Sequence, residues 1–332
     1  MNPAFEEAIS VRDYRTFLPL AKFTPKDIEG WLHGCGGIVG QNAACKAVAS
    51  LLYNHFHFPL RPKKNLLLIG PTGCGKTRLI NALQEFIRQN VAPNSSPILV
   101  NGFCRVFDTT QCQATGWHGG LKLYNLLVDM GFMGCLLVLD EWDKTIKTTY
   151  GSSPRGTICT STLLQQNFLT LFDHLPSLTY VSDDNKRITI DGQKVSIICM
   201  GAFSELRENK QREHERRHIG FSGAETTIDE PDEISEQDLI SYGMMSEIAS
   251  RMSDPVIMDA LTLDDLVNIG RKELDILQKT TELQIHIDDD KLFALAETAH
   301  NSGLGGRYIK SQLGALLDDH IYENPCSESF SL

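Results

Sequence analysis

The chain has 332 residues, 42 % apolar and 22 % charged, which is enough to bury a core and too apolar for wholesale disorder. Its 31 Lys and Arg against 42 Asp and Glu leave a net charge of −11, which excludes an overall basic footprint for nucleic acid or anionic lipid. No apolar run reaches the roughly 18–20 residues of a membrane span, the opening MNPAFEEAIS lacks signal-peptide character, and the nine cysteines contain no C-x-x-C pair, so no membrane segment, zinc module or disulfide framework is expected and a cytoplasmic setting is.

Residues 1–37 are weakly periodic and end in Gly34-Cys35-Gly36-Gly37, read as a hinge or loop. A helix is predicted over about 41–57, with Ala44, Val48, Leu51 and Leu52 on its apolar side and Pro59 and Pro62 after it. Residues 65–69 read as a buried strand, followed by a glycine-rich turn and a helix over about 77–89. Further buried strands are predicted at 135–139 and 195–200. Apolar strands separated by helical stretches imply an α/β fold with a parallel sheet covered by helices on both faces. Residues 145–160, 182–193 and the strongly charged 208–236 read as loops. From about 261 onward helical patterns dominate, with one short strand-like run at 283–287. The expected organisation is an N-terminal segment 1–37, a large domain 38–258 and a smaller, mainly helical domain 259–332.

The glycine-rich turn is Gly70-Pro71-Thr72-Gly73-Cys74-Gly75-Lys76-Thr77, which fits G-x-x-x-x-G-K-[ST] between a strand and a helix. Glycines let consecutive N–H groups face phosphates, and the helix N-terminus adds positive potential. Lys76 supplies a cation to the β- and γ-phosphates, and Thr77 a hydroxyl to Mg²⁺. Such a site needs an apolar strand ending in acid, and Leu136-Leu137-Val138-Leu139-Asp140-Glu141 provides one about sixty residues downstream. Asp140 is the candidate Mg²⁺ ligand, directly or through water, and Glu141 the candidate that polarises the attacking water. An acidic pair at a strand end also serves as a helix cap, so it gains weight only from the phosphate loop. These two motifs leave ATP and GTP open.

Taken together, several segments resemble the AAA+ module of the ClpX family of protein unfoldases. They are Ile38-Val39-Gly40-Gln41, Tyr53-Asn54-His55, the phosphate loop, Asp140-Glu141-Trp142-Asp143-Lys144, Gln165-Gln166 and Gly201-Ala202-Phe203. The resemblance spans about residues 30–325. It implies ATP with Mg²⁺ as cofactor, with adenine against Ile38 and Val39. It also implies that Trp117 and His118, in Gly116-Trp117-His118-Gly119, form a pore loop gripping substrate. Ile219-Gly220-Phe221 matches the loop tip that docks on a ClpP-type peptidase. Arg251, in Glu247-Ile248-Ala249-Ser250-Arg251, falls where the family places an arginine finger acting on the neighbouring subunit. Arg307, in Gly305-Gly306-Arg307, falls where the family contacts nucleotide from the small domain. With no cysteine pair to form it, the family's N-terminal zinc-binding domain is expected to have no counterpart in these residues, and its basic pore-entrance loop is not visible between Leu178 and Lys194.

The expectation is an ATP-dependent unfoldase and translocase that works as a homo-oligomeric ring, by resemblance a hexamer. It would thread protein substrates into a ClpP-type peptidase. A protease-independent remodelling ATPase is the alternative, opposed by the Ile219–Phe221 tripeptide. A nucleic-acid-linked AAA+ ATPase is a more distant one, opposed by the acidic charge.

Overall fold

The computed structural model describes residues 18–58, 65–91, 103–113, 135–147, 150–153, 156–181, 187–219, 233–325 and 329–331. After a 3₁₀ turn at Leu18–Lys22 come helices α1 (Pro25–His33) and α2 (Asn42–His57). Strand β1 (Leu66–Ile69) leads to α3 (Lys76–Asn90), and β2 (Cys104–Asp108) leads to α4 (Thr110–Gln113). Strand β3 (Cys135–Asp140) leads to α5 (Trp142–Ile146), then to the hairpin β4 (Tyr150–Ser153) and β5 (Gly156–Cys159). Helix α6 (Thr160–Phe172), strands β6 (Leu178–Val181), β7 (Arg187–Ile190) and β8 (Val195–Gly201), and helices α7 (Ser204–Ile219), α8 (Glu236–Tyr242) and α9 (Ser246–Ala249) follow. Strand β9 (Val256–Ile257) precedes α10 (Leu263–Thr281), β10 (Gln284–His286), α11 (Asp289–Asn301), α12 (Gly306–Glu323) and β11 (Ser329–Ser331).

Among the described residues the main sheet has the order β2-β3-β8-β1-β9, and every neighbouring pair is parallel. Successive strand residues point to opposite faces, so one sheet builds two cores. Leu67, Ile69, Leu137, Leu139, Ile197 and Cys199 pack with Trp142 and with Leu164, Phe168, Leu171 and Phe172 of α6. Leu66, Leu68, Leu136, Val138, Ile198 and Met200 pack with α1, α2 and α3 on the other face. Each fully buried Leu or Phe here contributes about 1.5–3 kcal/mol of transfer free energy. That two-sided burial is why β1, β3 and β8 read as unbroken apolar runs.

The C-terminal part has its own small core of Leu261, Leu266, Ala296, Ala299, Ile309 and Leu313, contributed mainly by α10, α11 and α12. Gly270 lets α11 approach α10, because a Cβ there would lie 2.6 Å from Leu292 Cδ1. β10 and β11 form a short parallel pair beside it. Among the described residues no helix is long and apolar enough to cross a membrane.

Several loop expectations are corrected. Within 208–236, residues 208–219 are helical, continuing a helix that starts at Ser204 (α7). Its Glu, Lys and Arg residues are good helix formers, and polarity all round conceals the usual apolar stripe. Glu208–Arg212 is an ion pair on its exposed side, and Lys210 bonds the half-buried Asp238 at 2.7 Å. Within 145–160, Thr145 and Ile146 are buried in α5 and the rest contains the β4–β5 hairpin. Within 182–193, residues 187–190 form β7, which pairs antiparallel with β6 just before the segment. Helix α1 also lies inside the segment read as weakly periodic; its signal is the capping box of Thr24 and Asp27 with Pro25 at the first turn. Phe23 and Trp31 stack edge-on against Phe86, which ties this segment to α3.

Candidate active site

The C-terminal ends of β1, β3, β8 and β9 lie along one edge of the sheet, where α/β folds place their ligands. At the end of β1 the chain turns through Gly73 (φ +83°) and Gly75 (φ +105°), conformations that a side chain would strain. A Cβ on Gly75 would meet nothing within 4 Å, so the loop is open on that side. Gly75 caps the 15-residue α3 and, having no side chain, offers no cap hydrogen bond of its own. Lys76 Nζ folds back and donates to Gly70 O at 2.6 Å and Pro71 O at 3.0 Å. Thr77 is exposed on the first turn and borders a cavity of about 300 Å³ between α3 and the edge strand β2, also lined by Asn81, Gln84, Arg105 and Met200. Cys74 is buried, and burial pushes its thiol up from its ordinary value.

Asp140 ends β3, and its Oδ1 accepts from the Glu141 N–H at 2.9 Å. Burial pushes the Asp140 carboxyl upward; the Glu141 N–H and Lys76 oppose that, while Asp108 and Asp143 reinforce it. Glu141 is exposed and has a left-handed backbone, φ +55°, which a non-glycine residue adopts only under outside constraint. The constraint is Thr109, fully buried, whose Oγ1 lies 2.9 Å from both Asp140 O and Glu141 O. The Glu141 carboxyl is also raised, first by partial desolvation and then by repulsion from Asp143 and Asp140.

Asp143 links the ends of β3 and β8. It is 1 % exposed, and its Oδ2 accepts from Phe203 N at 3.3 Å. Among the described residues its Oδ1 has no hydrogen-bond partner. A Cβ on Gly201 would lie 2.5 Å from that oxygen, so only glycine fits there.

The structure brings Gly70 to Thr77, Asp140 and Glu141 together. Ile38 is buried in the core beside α1–α3, and Val39 is half-buried. Gly305 and Leu304 lie against the phosphate loop: a Cβ on Gly305 would meet Gly73 O at 2.5 Å, and one on Gly73 would meet Leu304 O at 2.9 Å. Arg307 is therefore in the first turn of a helix that starts on the phosphate loop, with its own side chain exposed.

Arg251 is not near this site. Its backbone carbonyl accepts from Asn65 N at 3.1 Å and Asn65 Nδ2 at 3.0 Å, just before β1 begins. It therefore lies at the opposite end of β1 from the phosphate loop. Its guanidinium donates to Asp173 Oδ1 and to Glu247 O. Trp117, His118, Gly220 and Phe221 lie outside the described residues, as does the Ile219 side chain at the end of α7.

Sequence reasoning missed Thr109 and the role of Asp143. Asp143 was visible within the acidic motif. Thr109 follows β2, whose half-exposed edge position erases the apolar run that marks its neighbours.

No protein-family model matches the chain. Curated relatives match almost all of it. The ATP-dependent Clp protease ATP-binding subunit ClpX of Treponema denticola is 24 % identical over 356 residues, covering 95 % of this chain and 81 % of the relative. The protein of the same name from Borrelia duttonii is 26 % identical, covering 92 % and 75 %. ClpX 2 of Wolinella succinogenes is 25 % identical, covering 97 % and 82 %.

The chain is thus similar to ClpX subunits along nearly its whole length. The similarity runs through both the sheet and the helical C-terminal part of this ClpX-like chain, so it is not confined to the phosphate loop.

Proposed function

We propose that this ClpX-like chain is an ATPase that unfolds and translocates protein substrates through the pore of a ring of identical subunits, a hexamer by resemblance, and delivers them to a ClpP-type peptidase. One observation carries the proposal: the open phosphate loop and the Asp140–Glu141 pair converge on one sheet edge, within a chain similar to ClpX subunits over more than nine-tenths of its length.

The residues fit Mg·ATP. A helix N-terminus whose cap residue has no side chain, and an open face at Gly75, suit phosphate oxygens. Among the described residues the hydrogen bonds of Lys76 Nζ go to two neutral carbonyls, which a phosphate outcompetes. Gly70, Pro71, Thr72, Gly73, Cys74, Gly75, Lys76 and Thr77 would hold the phosphates, Ile38 and Val39 the base, and Thr77 and Asp140 the metal. When bound, Mg·ATP supplies the phosphoanhydride whose hydrolysis drives the work. Glu141 supplies the carboxylate that accepts a hydrogen bond from water, aimed by the backbone that Thr109 constrains.

We assign Arg251 to the neighbouring subunit's site. Its place at the far end of β1, roughly 13 Å of strand from the phosphate loop, supports an action between chains, because it cannot reach its own loop. A ring with a head-to-tail interface meets that requirement. We take 38–258 as the large domain and 259–332 as the small one, with Arg307 reporting on nucleotide to the latter. Trp117 and His118 are assigned to the pore, and Ile219, Gly220 and Phe221 to the peptidase contact, on resemblance.

Glu141→Gln tests the reading. The amide keeps the size and loses the charge that polarises water. We expect ATP binding and ring assembly to persist while turnover falls about 10²–10⁴-fold. Proteins retained by this variant with ATP would name substrates and partner. Unchanged turnover would overturn the role of Glu141; a chain that stays monomeric with saturating Mg·ATP, its turnover unaffected by unfolded protein, would overturn the whole proposal.

A further inference from the structure

Gln41 has no role in the reading so far, yet it occupies a constrained position. Its backbone is left-handed, φ +57°, at the N-cap of α2, and its side chain makes no cap hydrogen bond there. Instead its Nε2 donates to Cys74 O at 3.3 Å and to Asp259 O at 2.8 Å. A side-chain amide has two N–H donors, and both are used. One acceptor belongs to the phosphate loop. The other belongs to the connector between β9 and α10.

The same connector touches the loop elsewhere. Met258 N donates to Ile69 O at 2.7 Å, and a Cβ on Gly70 would meet Met258 O at 2.7 Å. Beside Gln41, a Cβ on Gly40 would come 3.7 Å from Asp265 Oδ1 in the first turn of α10.

We propose that Gln41 is a positioning residue that ties the phosphate loop to the β9–α10 connector, so that a nucleoside triphosphate entering the loop is felt at α10. The proposal rests on the nucleotide reading above and adds the route by which occupancy leaves the site. The physical basis is the planar peptide between Cys74 and Gly75. Cys74 O and the Gly75 N–H belong to one rigid unit and point in opposite directions. Any rotation that aims the Gly75 N–H at a phosphate also moves Cys74 O. Gln41 shares its amide between that oxygen and Asp259 O, so the motion is passed on or one bond is lost.

The test is hydrogen exchange of the full chain, with and without a Mg²⁺-bound non-hydrolysable ATP analogue. In the wild type, exchange should slow both at 70–80 and at 258–266. Gln41→Met keeps the length and removes both donors. Gln41→Glu also sets a charge against two carbonyl oxygens. In each variant the protection at 70–80 should remain, while that at 258–266 shrinks about fivefold, the effect of losing about 1 kcal/mol of hydrogen bonding. Full protection at 258–266 in both variants would overturn the proposal, as would a wild-type connector that does not respond while the loop does. Faster exchange across 42–57 in both variants without nucleotide would show a purely structural cap, and would also overturn it. If residues 70–80 do not respond in the wild type, the nucleotide reading itself fails and this inference falls with it.

Discussion

Lys76 and Arg251 stand at opposite ends of β1, and the structure holds them in opposite ways. Lys76 bonds two carbonyls of its own loop, five and six residues away. Arg251 bonds a carboxylate 78 residues away, at the end of α6. Neutral carbonyls give up an ammonium readily to a phosphate, whereas a carboxylate already compensates the guanidinium charge. The first cation is therefore open to displacement by an anionic ligand, whereas the second is already compensated by Asp173. Local chain geometry sets the first arrangement; long-range packing of α6 against the Asn65–Arg251 contact sets the second.

The largest test of that contrast is Lys76→Ala. Removing a charged partner of phosphate, worth about 1.5–3 kcal/mol, should weaken ATP binding at least about tenfold. Titration with a fluorescent nucleotide checks this, and unchanged affinity would break the comparison at its stronger end. Gly305→Ala comes next. The new methyl would collide with Gly73 O, and the backbone there (φ +61°, ψ −155°) suits only glycine. A destabilisation of about 1–3 kcal/mol is expected in a thermal melt, together with weaker nucleotide binding through the displaced loop. A melt within error of wild type would show that the C-terminal part does not press on the phosphate loop.

A pH profile sharpens the acidic side. Asp140 and Glu141 are both raised above their ordinary values of 3.8 and 4.5, mainly by burial. In the roles proposed for them both must be ionised, so turnover should decline with falling pH while the pH is still above those ordinary values. Stability runs the other way for this pair. The folded chain takes up these protons before the unfolded chain does, so the cost of their ionisation is full at neutral pH and is relieved as pH falls through the raised values. Asp140→Asn should therefore abolish turnover without lowering the melting temperature, and a clear fall would contradict the assigned strain. The smallest effect belongs to Asp173→Asn. Both partners are partly exposed, so about 0–1 kcal/mol of stability is at stake. Ring-dependent turnover should change while nucleotide affinity of the single chain does not; a change in the latter would tie Arg251 to its own site.

The parts of the fold that were legible share one property: each is a short segment whose pattern is complete in itself. β1, β3 and β8 are apolar on both faces because both faces are covered, so no partner need be known to recognise them. The phosphate loop is legible because its glycines, Lys76 and Thr77 are needed by the local backbone and the helix terminus. α7 was missed because its stabilising pairs are polar, and β2 because an edge strand is buried on part of one side only. The hairpin β4–β5 hides within a stretch of Ser, Thr and Gly whose strand character comes from pairing.

By itself, then, the sequence determined the α/β class, the buried strands, the loop that cradles phosphates and the acidic pair that faces it, because each follows from residue types at fixed short spacing. Only the tertiary structure decided that Thr109 bonds the Asp140 and Glu141 carbonyls, that Gly305 rests on Gly73, that Gln41 joins the loop to the β9–α10 connector, and that Arg251 pairs with Asp173. Each of those contacts brings together residues 31 to 232 positions apart. At such separations local propensity is silent, and only the packing of the whole sheet and its helices determines which groups meet.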